Sequence, residues 1–148
     1  MPEDKVLFYE GAHYMYSNFS AFAFWWKGIL WPTSEHAYQA EKFSDPLVRE
    51  MIRLALSPYD AKRMSRMHSE FVRIDWHDVK LAVMEEIIRA KLAQHPYILK
   101  KLLATGDREI VEDSPHDGFW GRGREHAGKN HMGRIWMKLR SEASEVRP

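Results

Sequence analysis

The chain contains no cysteine, which excludes thiol nucleophiles, thiolate zinc sites and disulfide staples and agrees with a reducing compartment. It also lacks a long apolar run. The first twenty residues carry Glu, Asp and Lys, so they read as neither a signal peptide nor a membrane span, and the expected setting is cytoplasmic with no membrane partner. An excess of one charge is missing too, since 22 Lys and Arg against 21 Asp and Glu leave a formal net charge of +1. A chain so close to neutral does not bind long nucleic acid through its field alone, although a local basic patch can hold a phosphate. No internal repeat, low-complexity tract or long linker divides it.

What is present is 148 residues, 45% of them hydrophobic. A chain of that size buries about two-thirds of its unfolded surface and needs neither disulfide nor metal to hold a core, so residues 1–148 are expected to form a single domain. Residues 5–9 and 22–31 read as short strands, the second a hairpin broken at Lys27-Gly28. Asp45-Pro46 starts a helix to about Leu56, and Ser57-Pro58 with Asp60 starts the next. Asp75 and Asp78 open the longest helix, Trp76 to about Gln94, in which Val79, Val83, Ile87 and Ala90 keep a 3.6 spacing. A helix from Tyr97 to Thr105 closes at Gly106, Ile110 and Val111 form a brief strand, and 113–129 is loop. The last helix runs from about Asn130 to Ser144 with Met132, Ile135, Trp136 and Leu139 inward. The fold class is mainly α, an α+β chain with a small β element.

Residues 31–43, WPTSEHAYQAEKF, carry the strongest chemical signal. Thr33 or Ser34 can cap a helix that puts Glu35 in its first turn. At about 100° per residue Tyr38, Gln39 and Lys42 share the Glu35 face. The stripe reads either as a solvated helix surface or as a site. Phe19, Phe22, Phe24, Trp25, Trp26, Trp31 and Phe43 surround it in sequence. Beside apolar rings a carboxylate loses hydration and its pKa rises, while that of a lysine falls toward neutrality.

A second candidate lies at 117–130, DGFWGRGREHAGKN. Backbone amides from Gly121 to Gly128, with Lys129, can hold a phosphate ahead of a helix, and a flexible surface loop is the alternative. Neither the P-loop pattern nor GxGxxG is matched. His116, His126 and His131 lack HExxH-type spacing, so no metal is expected. Asp117 can orient Lys129 or a ribose hydroxyl, or simply form a turn. Trp120 can stack on a base or cap the core.

Taken together, SNF at 17–19, WPTSEHAYQAEKF, Lys80 and Met84, IVE at 110–112, FWG at 119–121 and GKNHMGRIWMKLR at 128–140 resemble the NADAR family, also called YbiA-like. The likeness spans roughly 8–140 in motif order. Ala37 stands where an aromatic is usual, and Met132 and Arg134 where Leu and an aromatic are common. The resemblance implies a compact YbiA-like helical fold without metal or cofactor, and N-glycosidase chemistry at the bond between ribose C1 and a base or amine nitrogen. It implies as substrates ADP-ribosylated guanine, free or within nucleic acid, or ribosylaminopyrimidine phosphates of riboflavin synthesis. Carried over by position, Glu35 is the catalytic carboxylate and Lys42 its partner, while Asn18, Trp120, Lys129 and Asn130 line the pocket; Gln39 on the stripe and Asp117 and Gly121 in the loop are the further substrate-binding candidates read from the residues themselves. The competing class is a non-catalytic module that binds ADP-ribose or NAD. A third is a helical protein-interaction domain.

Overall fold

The computed structural model describes residues 4–11 and 13–146. Residues 1–3, 12 and 147–148 lie outside it, and with them the ends of the 1–148 span and part of the leader-free reading of the N-terminus. Among the described residues there are six α-helices and four short strands in two compact units, one of residues 18–94 and one of residues before 18 with those from 95 on.

Unit Asn18–Gln94 starts with a hairpin of β2 (Phe24–Trp26) and β3 (Ile29–Trp31), antiparallel with Phe24 opposite Trp31. Its turn is Lys27-Gly28, with φ of 53° and 78°. Two positive φ values in succession give the I′ geometry whose twist suits a hairpin, as expected from sequence. Thr33 then caps α1 (Ser34–Glu41), its hydroxyl accepting from His36 N. Asp45 caps α2 (Pro46–Arg53) and Ser57 caps α3 (Pro58–Met67), each with proline just inside. The second helix ends at Arg53 rather than near Leu56, and the Ala55 carbonyl instead accepts from His36 Nε2 at 3.1 Å.

The long helix, α4 (Trp76–Gln94), has the expected limits but a different inner face. Its buried residues are Trp76, Met84, Ile87, Ile88 and Lys91, whereas Val79, Val83 and Ala90 only border the core. Lys91 is the reason: a fully buried lysine counts as polar in any hydropathy pattern, and omitting it rotates the apparent apolar stripe. At its end the Gln94 side chain pairs with the Trp25 backbone at 2.7 Å in both directions, occupying a strand edge that would otherwise be open.

In the other unit, β1 (Lys5–Phe8) pairs in parallel with β4 (Glu109–Glu112). Pro96 opens α5 (Pro96–Ala104), which ends at Thr105 with Gly106 at φ 63°. The last helix, α6 (His131–Val146), buries Met132, Gly133, Ile135, Trp136 and Leu139, as its spacing predicts. The Trp136 indole packs 5.2 Å from the Tyr16 ring and donates from Nε1 to the Tyr16 carbonyl at 3.0 Å. Burial pushes the Tyr16 hydroxyl up to about 12. Each such large apolar group taken out of water contributes about 1.5–3 kcal/mol.

Candidate active site

All eight residues of α1 are buried, although Ser34, Glu35, His36, Gln39 and Glu41 are polar. The stripe is not a solvated surface. A polar helix survives inside a protein only when its groups find partners. His36 shows how: the Ala55 carbonyl can only accept, so Nε2 carries the hydrogen and Nδ1 accepts from the Thr33 hydroxyl at 2.8 Å. Burial holds this imidazole below its ordinary pKa, in the neutral form that pairing needs.

On the stripe, Gln39 Nε2 donates to Glu35 Oε2 at 2.6 Å. Glu35 is 6% and Gln39 3% exposed. Gln39 Oε1 is buried and has no hydrogen-bond partner among the described residues. Such an orphan costs about 1–3 kcal/mol and suits a site completed by a ligand donor. Lys42 follows the helix with αR backbone angles. Its Nζ lies 5.6 Å from the Tyr38 ring centre and 5.9 Å from that of Trp76, rings themselves 5.1 Å apart. Burial lowers the Lys42 pKa, the Glu35 charge acts in the opposite sense, and Lys62, Lys80 and Arg66 add to the lowering. The downward direction expected for Lys42 holds. Of the aromatics that precede the helix in sequence, Trp25 is exposed and Trp31 is buried with its indole donating to the Trp26 carbonyl. The rings against Lys42 are Tyr38 and Trp76.

Asn18 is also buried, its Oδ1 accepting from Ser34 Oγ at 2.8 Å and its Nδ2 facing Met84 Sδ at 3.6 Å. Thus Asn18, Glu35, Gln39 and Lys42 all sit on or against α1. Sequence reading missed Lys91 and Ser20 and offered Ser34 only as a helix cap, a place Thr33 takes, because a lysine and two serines far apart along the chain carry no local signal of their contact. It also missed the cations Lys62 and Arg66, whose i,i+4 spacing on α3 was visible.

At the other end of α1 the carboxylate of Glu41 gathers Lys27 at 3.2 Å, Arg49 at 3.6 Å and Arg73 at 3.9 Å. An open groove of about 670 Å³ is lined there by Glu41, Arg49, Arg73 and Asp75 with neighbouring residues, and none of the sequence-derived site residues borders it. Only the Glu41 carboxylate of this cluster is buried, and Lys27, Arg49 and Arg73 reach water that screens them when their partner is lost. Glu41→Gln is expected to cost about 1–2 kcal/mol in urea unfolding; a change below about 0.5 kcal/mol, the usual size for a surface substitution, shows that the cluster contributes nothing.

The other unit holds the remaining candidates. Asp117 Oδ1 accepts from Phe119 N at 2.9 Å and Trp120 N at 2.8 Å, a side-chain turn. Asn130 uses both ends of its amide on the β4 backbone, donating to Ile110 O at 3.0 Å and accepting from Glu112 N at 2.9 Å. Trp120 is half-buried and meets Phe119 edge to face at 4.8 Å. Lys129 is exposed, its Nζ 6.0 Å from the Phe119 ring. A Cβ on Gly121 would lie 2.8 Å from Glu112 O. Amides of Arg122, His126 and Gly128 donate within the loop or to β4. Those N–H groups are committed before any phosphate arrives. Among the described residues no three His, Asp or Glu converge into a metal-binding group, and no helix is long and apolar enough to cross a membrane.

Comparison with known proteins agrees with these elements. The chain matches the NADAR domain over residues 7–143. It is 41% identical over 143 residues to the N-glycosidase YbiA of Escherichia coli K12, covering 95% of this chain and 89% of that one. A riboflavin biosynthesis protein of Vibrio vulnificus is 40% identical over 148 residues, and this chain spans 40% of its length. The NMR structure of E. coli YbiA superposes with a TM-score of 0.87 at 40% identity, covering 95% of this chain and 85% of that chain. The chain belongs to the NADAR domain family.

Proposed function

We propose that the protein is an N-glycosidase that hydrolyses the bond between ribose C1 and a base or amine nitrogen, with Glu35 and Lys42 as catalytic residues. The observation that carries this reading is the stripe on α1: a buried carboxylate, an amide oxygen lacking a protein donor, and an amine whose pKa burial has lowered. The relatives' names support the class of reaction, since those from E. coli and Nostoc punctiforme are called N-glycosidases. Departure of the nitrogen builds positive charge on C1 and the ring oxygen, which a fixed carboxylate stabilises more in the transition state than in the ground state. Substrates of two classes fit, ADP-ribosylated guanine and ribosylaminopyrimidine phosphates. Both carry phosphate, which suits the field of Lys62, Arg66 and Lys80 around Lys42.

Two routes use these residues. In one, Glu35 takes a proton from water as that water attacks C1 and the C1–N bond breaks, and then returns the proton to the departing nitrogen. In the other, neutral Lys42 attacks C1 and passes a proton to Glu35, which delivers it to the leaving nitrogen. The ring C1–O bond then opens, its oxygen taking a proton, and water hydrolyses the resulting Schiff base to free sugar and amine.

The test is parallel incubation with guanine-linked ADP-ribose and with the ribosylaminopyrimidine phosphates. Release of ribose or its phosphate derivative from at least one is expected, and release from neither overturns the assignment. Borohydride added during turnover separates the routes: a covalent adduct that vanishes in Lys42→Ala identifies the Schiff base. On that route the neutral amine fraction grows as pH rises through the lowered Lys42 pKa. Activity then reaches its plateau at a lower pH than an ordinary lysine would allow. A profile flat across that range assigns the work to Glu35 and water.

A further inference from the structure

Lys91 projects from α4 into the interior and is completely buried. Its Nζ donates to Ser20 Oγ at 3.2 Å and Ser34 Oγ at 3.4 Å, with the Phe22 ring centre at 5.8 Å. Burial brings its pKa down to about 7. So buried an amine is a costly way to fill space, and methionine or leucine would fill it without the desolvation penalty.

The geometry assigns a directional role. The Ser34 hydroxyl has one hydrogen, and an ammonium or amine donating to its oxygen leaves that hydrogen free to point at Asn18 Oδ1, 2.8 Å away. With Oδ1 so fixed, Nδ2 of Asn18 is turned toward Met84 Sδ. The Asn18 carbonyl in turn accepts from Glu35 N at 3.1 Å, in the first turn of α1. We propose that Lys91 is a positioning residue: through Ser34 it fixes the amide orientation of Asn18 and the seating of the α1 N-terminus that presents Glu35. This rests on the N-glycosidase reading only in the step from geometry to rate.

Lys91→Met tests it, because the variant keeps length and apolar packing while removing the donor and the buried charge. A residue with a merely structural role would lose activity in proportion to lost stability. Here the unfolding temperature at neutral pH is expected to stay the same or rise, while kcat falls about tenfold or more. Ser34→Ala, which breaks the same chain one link later, is expected to give the same kinetic signature, and the double variant to be no worse than either single one. The Asn18 side-chain amide signals in ¹H–¹⁵N spectra supply a readout independent of turnover, and they are expected to shift or broaden in both variants. Unchanged Asn18 signals in Lys91→Met overturn the proposal even if no N-glycoside proves to be a substrate. Shifted signals with unchanged kcat overturn the link to catalysis. If Lys91→Met does not fold, the Ser34→Ala spectra and rates decide alone.

Discussion

Glu35→Gln is expected to lower turnover of the N-glycoside substrate by two orders of magnitude or more while leaving the unfolding midpoint within about 1 kcal/mol of the parent. The replacement keeps the shape of the side chain, and an amide oxygen can still accept from Gln39 Nε2, now 2.6 Å from Glu35 Oε2. What disappears is the negative charge, and with it both the stabilisation of a cationic ribosyl centre and the capacity to carry a proton. Stability changes little because a 6% exposed carboxylate already bears a desolvation cost that the amide does not. A second consequence separates charge loss from distortion. Glu35 raises the Lys42 pKa against the effect of burial, so its removal lets that pKa fall further. Borohydride adducts formed with free ribose phosphate should then appear at lower pH in the variant. Full turnover in Glu35→Gln eliminates the catalytic assignment, whatever the fold.

The helices were legible because their ends are written locally. Thr33, Asp45 and Ser57 each place an oxygen over free N–H groups, and proline at 46, 58 and 96 marks first turns. Lys27-Gly28 announced the hairpin in the same way. The shared face of Glu35, Gln39 and Lys42 followed from helical geometry alone. Burial of α1 was not legible, because what makes it tolerable lies far off in sequence: Ala55 for His36, Asn18 for Ser34, and Arg49 and Arg73 for Glu41. Lys91 is the sharpest instance. Its apolar neighbours Met84, Ile87 and Ile88 are recognisable, yet a lysine in their line is intelligible only once Ser20 and Ser34 are seen to receive it. The 117–130 loop teaches the converse, since Asp117 and Asn130 are chemically apt for binding but spend those same oxygens and nitrogens on backbone.

Gly133→Ala is expected to be the most destabilising single-methyl addition in the chain, costing about 3 kcal/mol or more and lowering the unfolding temperature by roughly 10 °C. A Cβ at 133 would sit 2.0 Å from the Ile110 carbonyl oxygen, 2.4 Å from Asn130 Nδ2 and 2.6 Å from Asn130 Oδ1. None of these can yield cheaply. Ile110 O belongs to β4 and receives Asn130 Nδ2, while Asn130 Oδ1 receives Glu112 N, so the amide that stitches α6 to β4 is the group the methyl would strike. Relief requires α6 to move away from the strand, loosening Met132, Ile135 and Trp136, all buried on that helix. Backbone conformation is not the cause, for Gly133 lies within the helix and has no positive φ. Gly118→Ala provides the control, its nearest neighbour being the Gly128 Cα at 4.0 Å, and should change stability by less than about 1 kcal/mol. Thermal and urea unfolding of the pair, measured side by side, give the comparison. If Gly133→Ala unfolds within about 2 °C of the parent, the close approach of α6 to β4 is wrong, and so is the bridging role given to Asn130.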